Sequence, residues 1–168
     1  MNKGEIKALL RAREEAAIIA AEKARERRIG EDVMWRGVGL LALQLRELPS
    51  FESGHIWDVR TVDGALKLYV SRTNPEKPGY LLPGYSELAC DAARLKAFVE
   101  QLELTQVATP LLFKGSSWLD GTSYSLVRSD GFDSVTFRWW EKGPAEWEAL
   151  TSNVMGFIGY LKQQNPSA

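Results

Sequence analysis

A chain of 168 residues with 45% hydrophobic residues and six tryptophans carries enough apolar surface for the core of one domain, which excludes a largely disordered polypeptide. Its formal net charge of −1 excludes a global basic field that would draw it to nucleic acid or an anionic membrane, so such binding would need a local patch. The apolar run from Ala16 to Ala21 lies between Glu15 and Glu22, far short of the roughly 20 residues of a membrane span, and the single cysteine, Cys90, allows neither an internal disulfide nor a thiol-rich metal site.

Glu5 precedes any hydrophobic stretch, which argues against a secretory signal. A cytoplasmic protein with no membrane attachment, no metal and no cofactor is the expectation. Residues 3–28 are rich in Ala, Glu, Lys and Arg and predict a long helix closed by Gly30. Its apolar stripe is thin: Ile6, Leu9 and Leu10 are followed mainly by alanines, with Ile18 and Ile19 the only later large residues. Such a helix projects or packs on a second copy of the chain, which makes it the candidate surface for a homo-oligomer. Through Arg28 it holds eight basic and five acidic residues, about +3, against about −4 for the remainder. A nucleic-acid contact through this helix is one reading, and a solvated helix with interleaved charges is the favoured one.

Met34, Val38, Leu41, Leu45 and Leu48 recur at spacings of four, three, four and three, which predicts a buried helix capped by Asp32 and ended by Pro49. From Ile56 the period changes to two. Asp63-Gly64 is a strong hairpin signal, and counting outward pairs Val59 with Leu68 and Trp57 with Val70 on a core face, and Arg60 with Lys67 and Asp58 with Tyr69 on a wet one. The same count at Asp130-Gly131 places Leu126 opposite Val135, Tyr124 opposite Phe137, Ser123 opposite Arg138 and Asp133 opposite Arg128. Between the hairpins, Ser86 caps a predicted helix through Leu88, Ala92, Leu95, Val99 and Leu102. After them Gly143-Pro144 opens another, with Trp147, Leu150, Val154, Phe157, Ile158 and Leu161 as its stripe.

The fold class expected is α+β, a four-stranded antiparallel sheet of two hairpins with helices on one face, in the order ααββαββα. Residues 1–30 form the charged helix and 31–168 a single domain. The core is expected to contain Trp57, Val59, Leu68, Val70, Tyr124, Leu126, Val135, Phe137, Trp147, Leu150 and Val154.

Motifs for chemistry are scarce. His55 is the only histidine and reads as a polar residue at a strand entrance; Cys90 lies in a predicted helix with no activating motif. Gly37-Val38-Gly39-Leu40-Leu41-Ala42 matches the letters of a dinucleotide fingerprint, but no strand precedes it and the surrounding spacing is helical. No P-loop or nucleophile elbow occurs, and no carboxylates cluster. The wet sheet face is the better candidate. It bears Asp58, Arg60, Lys67, Tyr69 and Arg138, together with Trp140, which must point outward if Trp139 is buried; Tyr80 and Tyr85 lie in the Pro-Gly loop of residues 74–85. An outward Trp beside Arg and Tyr has the composition of an interface hot spot, and the competing role for Trp140 is to cover the end of the sheet.

The segments Asp120-Gly121-Thr122-Ser123-Tyr124, Gly131-Phe132-Asp133-Ser134-Val135, Trp139-Trp140 and Pro144-Ala145-Glu146-Trp147 resemble a pattern in small bacterial α+β proteins, some of them similar to the immunity partners of polymorphic toxins. The resemblance covers residues 118–150 and implies a small antiparallel domain that binds another protein. The leading expectation is thus a non-enzymatic, immunity-like, cytosolic protein-binding domain whose partner the sequence does not name. The alternative is a small enzyme with a site near residues 104–120 and His55. A cleft holding His55 against a carboxylate would favour the enzyme, and an open polar sheet face with projecting aromatics would favour binding.

Overall fold

The computed structural model describes residues 3–25, 27–29, 38–108, 120–130 and 133–164. Along the chain it places α1 (Lys3–Ala24), β1 (Leu40–Pro49), β2 (His55–Val62), β3 (Ala65–Arg72), β4 (Ser86–Glu87), α2 (Ala92–Leu104), β5 (Thr122–Ser129), β6 (Ser134–Trp140) and α3 (Glu148–Gln164), with a 3₁₀ turn at Ala145–Trp147. The fold is α+β, but among the described residues the sheet has six strands rather than four, in the order β4-β3-β2-β1-β5-β6, all antiparallel.

The largest correction is β1. The stretch read as a helix ending at Leu48 is the strand that joins the two hairpins, pairing with β2 on one side and β5 on the other. Leu41, Leu43 and Leu45 also alternate, so the run satisfies a period of two as well as one of 3.6, and pairing on both flanks selects the strand. Asp32 and Met34 of the expected helix lie outside the described residues. The strand opens at Gly39, whose φ is +76° and where a Cβ would stand 1.9 Å from the Thr61 carbonyl oxygen. The register shifts by one residue between Leu41 and Leu43, and the Ala42 carbonyl there accepts from Arg128 Nη1 at 2.7 Å.

The first hairpin has the register counted from Asp63-Gly64. In the second, Leu126 pairs with Phe137, Tyr124 with Trp139, Ser125 with Arg138, Ser123 with Trp140 and Arg128 with Val135, a slip of two residues from the count. The strands stop at Ser129 and Ser134, so the turn is longer than two residues. A slip of two keeps every side chain on its face, hence Trp139 is buried and Trp140 points to the other side.

Leu43, Leu45, Trp57, Val59, Leu68 and Leu126 form the core face, covered by Leu95, Phe98 and Val99 of α2 and Leu150, Val154, Phe157, Ile158 and Leu161 of α3. Each such side chain contributes about 1.5–3 kcal/mol by leaving water. Phe98 and Phe157 stack with centroids 3.8 Å apart where the helices meet. Two members of the expected core differ: Val135, near the tip of β6, is 48% exposed, and Phe137 is half-buried. The cap of α2 is Asp91 rather than Ser86; its Oδ1 accepts from the backbone N–H groups of Ala93 and Arg94, while Ser86 and Glu87 form β4.

The described side chains of α1 are almost all exposed, Leu9 and Leu10 among them. The helix ends before Arg27 and Arg28, which follow a different course. The Arg27 carbonyl accepts from Leu81 N and the Ile29 N–H donates to the Gly79 carbonyl, clasping the chain to the Pro-Gly loop.

Candidate functional site

The sheet face opposite the helices divides in two. Over β2 and β3 it is closed, because Tyr85, Val38 and Arg27 lie on it, and Asp58, Arg60 and Tyr69, read as wet, are dry. Asp58 and Arg60 are each 3% exposed, and Tyr69 and Ser71 are also buried. Alternation placed these side chains correctly away from the helices; what sequence reasoning lacked was the second cover, contributed by a loop and by the residues after α1.

Within this closed half the polar groups satisfy one another. Asp58 Oδ1 accepts from Gln44 Nε2 at 2.7 Å and Asp58 Oδ2 from the Tyr85 hydroxyl at 2.9 Å. Arg60 Nε donates to the Tyr85 oxygen at 2.8 Å, Arg60 Nη1 to the Gly39 carbonyl at 3.2 Å, and Arg60 Nη2 lies 3.5 Å from Asp58 Oδ2. Burial first, then the Asp58 charge, pushes the Tyr85 phenol far up, so it stays a protonated donor. Tyr69 stacks on Tyr85 with centroids 5.0 Å apart, and Arg27 lies over the Tyr85 ring while donating from Nη2 to Ser71 Oγ. A buried pair this well satisfied orders the loop onto the sheet. At its margin Lys67 pairs with Glu87 at 3.2 Å, and Tyr80 accepts from Arg28 Nε at 3.0 Å.

The other half of this face is open along its β6 edge, where Thr136 and Arg138 are exposed, and half-buried at Gln44, Arg46 and Val127. Arg138 is exposed on edge strand β6 and makes no hydrogen bond or ion pair with the described residues. One strand inward is Ser125, buried with an unpartnered Oγ, and beyond it Arg46, whose Nε donates to Gln44 Oε1. Trp140 is half-buried rather than projecting: its indole lies against Gly121, where a Cβ would stand 2.9 Å from Cζ2 and Nε1. The same glycine's carbonyl accepts from Ser50 N and Ser50 Oγ, so Phe51, 80% exposed in the β1–β2 connection, stands at the same end of the sheet as Trp140.

The eight residues selected from sequence therefore fall into two groups. Asp58, Arg60, Tyr69 and Tyr85 meet inside, with Lys67 and Tyr80 beside them, and Arg138 and Trp140 lie on the far strand. Gln44, Arg46 and Phe51 were missed, the first two because β1 was read as a helix; the alternation of Leu43, Gln44, Leu45 and Arg46 was the signal that could have found them.

On the core face, at the end of the sheet, His55 Nδ1 lies 3.9 Å from Glu47 Oε2. Glu47 Oε1 accepts from Lys162 Nζ of α3 at 2.8 Å and from the Tyr124 hydroxyl at 3.5 Å. Burial, then the Arg72 charge, holds the His55 imidazole below its ordinary value, against the pull of Glu47, and Lys162 adds to the lowering. This cluster is not near residues 104–108. Thr105 meets Asn153 of α3, about 14 Å along the helix from Lys162. Residues 109–119 of the expected enzyme site lie outside the described residues. Among the described residues no three His, Cys, Asp or Glu side chains gather as metal ligands, and no helix is long and apolar enough to cross a membrane.

The chain matches no protein family, no curated protein and no solved structure.

Proposed function

We propose that the chain is a non-enzymatic protein-binding domain that takes an acidic partner on the open half of its outer sheet face. The observation that carries this reading is Arg138, exposed on an edge strand without a partner among the described residues, beside the half-buried Trp140. Arg and Trp at the centre of a patch are the residue types that dominate binding energy, because the ring supplies area and the guanidinium supplies oriented donors. No outward residue of β1, β5 or β6 is acidic, so a carboxylate approaching Arg138 and Arg46 meets no like charge on those strands. Phe51 extends the patch with a side chain whose area is covered only by a partner. The resemblance of residues 118–150 to immunity-like proteins supports the same reading.

The test is affinity capture from native lysate with the wild-type chain, Arg138→Glu and Phe51→Ala as parallel baits, followed by cross-linking. A protein held by the wild type and lost by both variants, with cross-links at β6 and unchanged urea midpoints of the baits, is the expected result. Equal capture by all three baits, or cross-links confined to other surfaces, would overturn it.

The Glu47–His55 contact favours a second reading, a small enzyme using the imidazole. It is the weaker one, because general acid–base transfer needs contact at about 2.6–3.2 Å and His55 Nδ1 lies 3.9 Å from Glu47 Oε2.

A further inference from the structure

We propose that His55 and Arg72, facing each other across β2 and β3, form a binding site for a small oxyanion, a carboxylate or a phosphate, at the end of the sheet near the last turn of α3. The two are direct partners in the strand register and project to the core face, as do their neighbours Trp57 and Val70. His55 is 8% exposed, and its Nε2 is buried without a hydrogen-bond partner. Arg72 Nε is buried and unpartnered in the same way, and the Arg72 side chain makes no hydrogen bond or ion pair with the described residues. A buried polar group left without a hydrogen bond costs about 1–3 kcal/mol, and more on a charged group, so two such atoms on one cross-strand pair mark a place where a ligand can be accommodated.

The surrounding charges select its sign. The carboxylate beside the pair, Glu47 on β1, is engaged by Lys162 of α3 and Tyr124 of β5. It lies against His55 Nδ1, on the other side of the ring from Nε2. Arg72 and Lys162 thus outnumber Glu47, and an incoming anion restores neutrality. A planar guanidinium presents paired donors that match a carboxylate or a phosphate edge, with the imidazole Nε2–H as a further donor. Both ring nitrogens are donors only in the protonated imidazole, so an anion at Nε2, with Glu47 Oε2 3.9 Å from Nδ1, and protonation of His55 favour each other. In the free protein, burial and Arg72 favour the neutral ring. The bound anion offsets the Arg72 charge and reverses that preference. The site lies on the opposite face of the sheet from Arg138 and Trp140 and is independent of the proposed protein interface.

Because His55 is the only histidine, its imidazole gives a single set of resonances, and its protonation midpoint can be followed by NMR on the full chain. The titration is run in chloride alone, with inorganic phosphate, and with acetate, at matched ionic strength. The expected result is a midpoint raised by about one unit or more in phosphate, acetate or both, as a nearby opposite charge produces, and lost in Arg72→Gln. A rise in phosphate only assigns a phosphate site, and a rise in acetate only a carboxylate site. Should Arg72→Gln fail to fold, Arg72→Lys keeps the charge without the fork and is expected to show a smaller rise. Midpoints that coincide in all three salts, or a full rise retained in the Arg72 variant, would overturn the proposal and leave water as the occupant.

Discussion

The Tyr85 hydroxyl donates to Asp58 Oδ2 at 2.9 Å across 27 residues of chain, fastening the Pro-Gly loop to the middle of the sheet. Arg60 holds the other side of the same oxygen pair. Tyr85→Phe removes one donor and one acceptor from a buried network and is expected to lower stability by about 1–3 kcal/mol. Arg60→Met strips the guanidinium from a buried carboxylate and is expected to cost more, about 3–5 kcal/mol. Urea midpoints measure both; an Arg60 variant no weaker than the Tyr85 variant would show that the pair is not electrostatically coupled as the distances imply.

Stability is expected to depend on pH through His55. Its folded-state value lies below the ordinary 6.5, so as pH falls below 6.5 the unfolded chain binds the proton more readily than the folded one. The contribution is complete above 6.5, declines through the interval down to the folded-state value, and is flat below it. Denaturation between pH 7.5 and pH 5, in chloride, compares wild type with His55→Gln at about those two limits. The wild type should lose more on acidification than the variant, and parallel losses would remove His55 as the cause.

Deleting residues 1–24 and deleting residues 1–28 are expected to differ. The first removes a helix whose described side chains are exposed and should change stability by no more than about 0.5 kcal/mol. The second also removes Arg27, which is buried over Tyr85 and donates to Ser71, and should cost about 1–3 kcal/mol more. Thermal unfolding of the two truncations decides it. Sedimentation of the shorter deletion tests whether α1 joins two copies, since the mass would then fall by half.

Gly39 and Gly64 separate backbone strain from collision. Both have φ near +77°, at +76° and +78°, yet a Cβ on Gly64 meets nothing within 4 Å whereas one on Gly39 meets the Thr61 carbonyl oxygen at 1.9 Å. Gly64→Ala is therefore expected to cost only the left-handed penalty, about 1–2 kcal/mol. Gly39→Ala must also push β1 away from β2 and should cost distinctly more. Equal midpoints for the two would mean that the start of β1 shifts freely.

Much of the architecture was legible locally. Asp63-Gly64 specified the first hairpin and its register because a two-residue turn leaves no freedom in the pairing that follows. Parity alone sent Trp139 inward and Trp140 outward, and survived a turn longer than the one counted, since a two-residue slip does not change faces. The stripe from Trp147 to Leu161 marked α3 because no other period fits it. Three matters waited for the tertiary structure. Leu41 to Leu48 carry both periods, and the decision for a strand came from β2 and β5, whose pairing residues lie as far away as Arg128. Asp58 and Arg60 were legible as polar and outward, but their burial depends on Tyr85 and Arg27, brought over them by chain contacts that no local pattern encodes. His55 and Glu47 looked unrelated in sequence and face each other only because β1 and β2 are antiparallel neighbours. Local periodicity determines which side of an element a residue takes, whereas what comes to cover that side is a long-range choice made by the energy of the whole packed sheet.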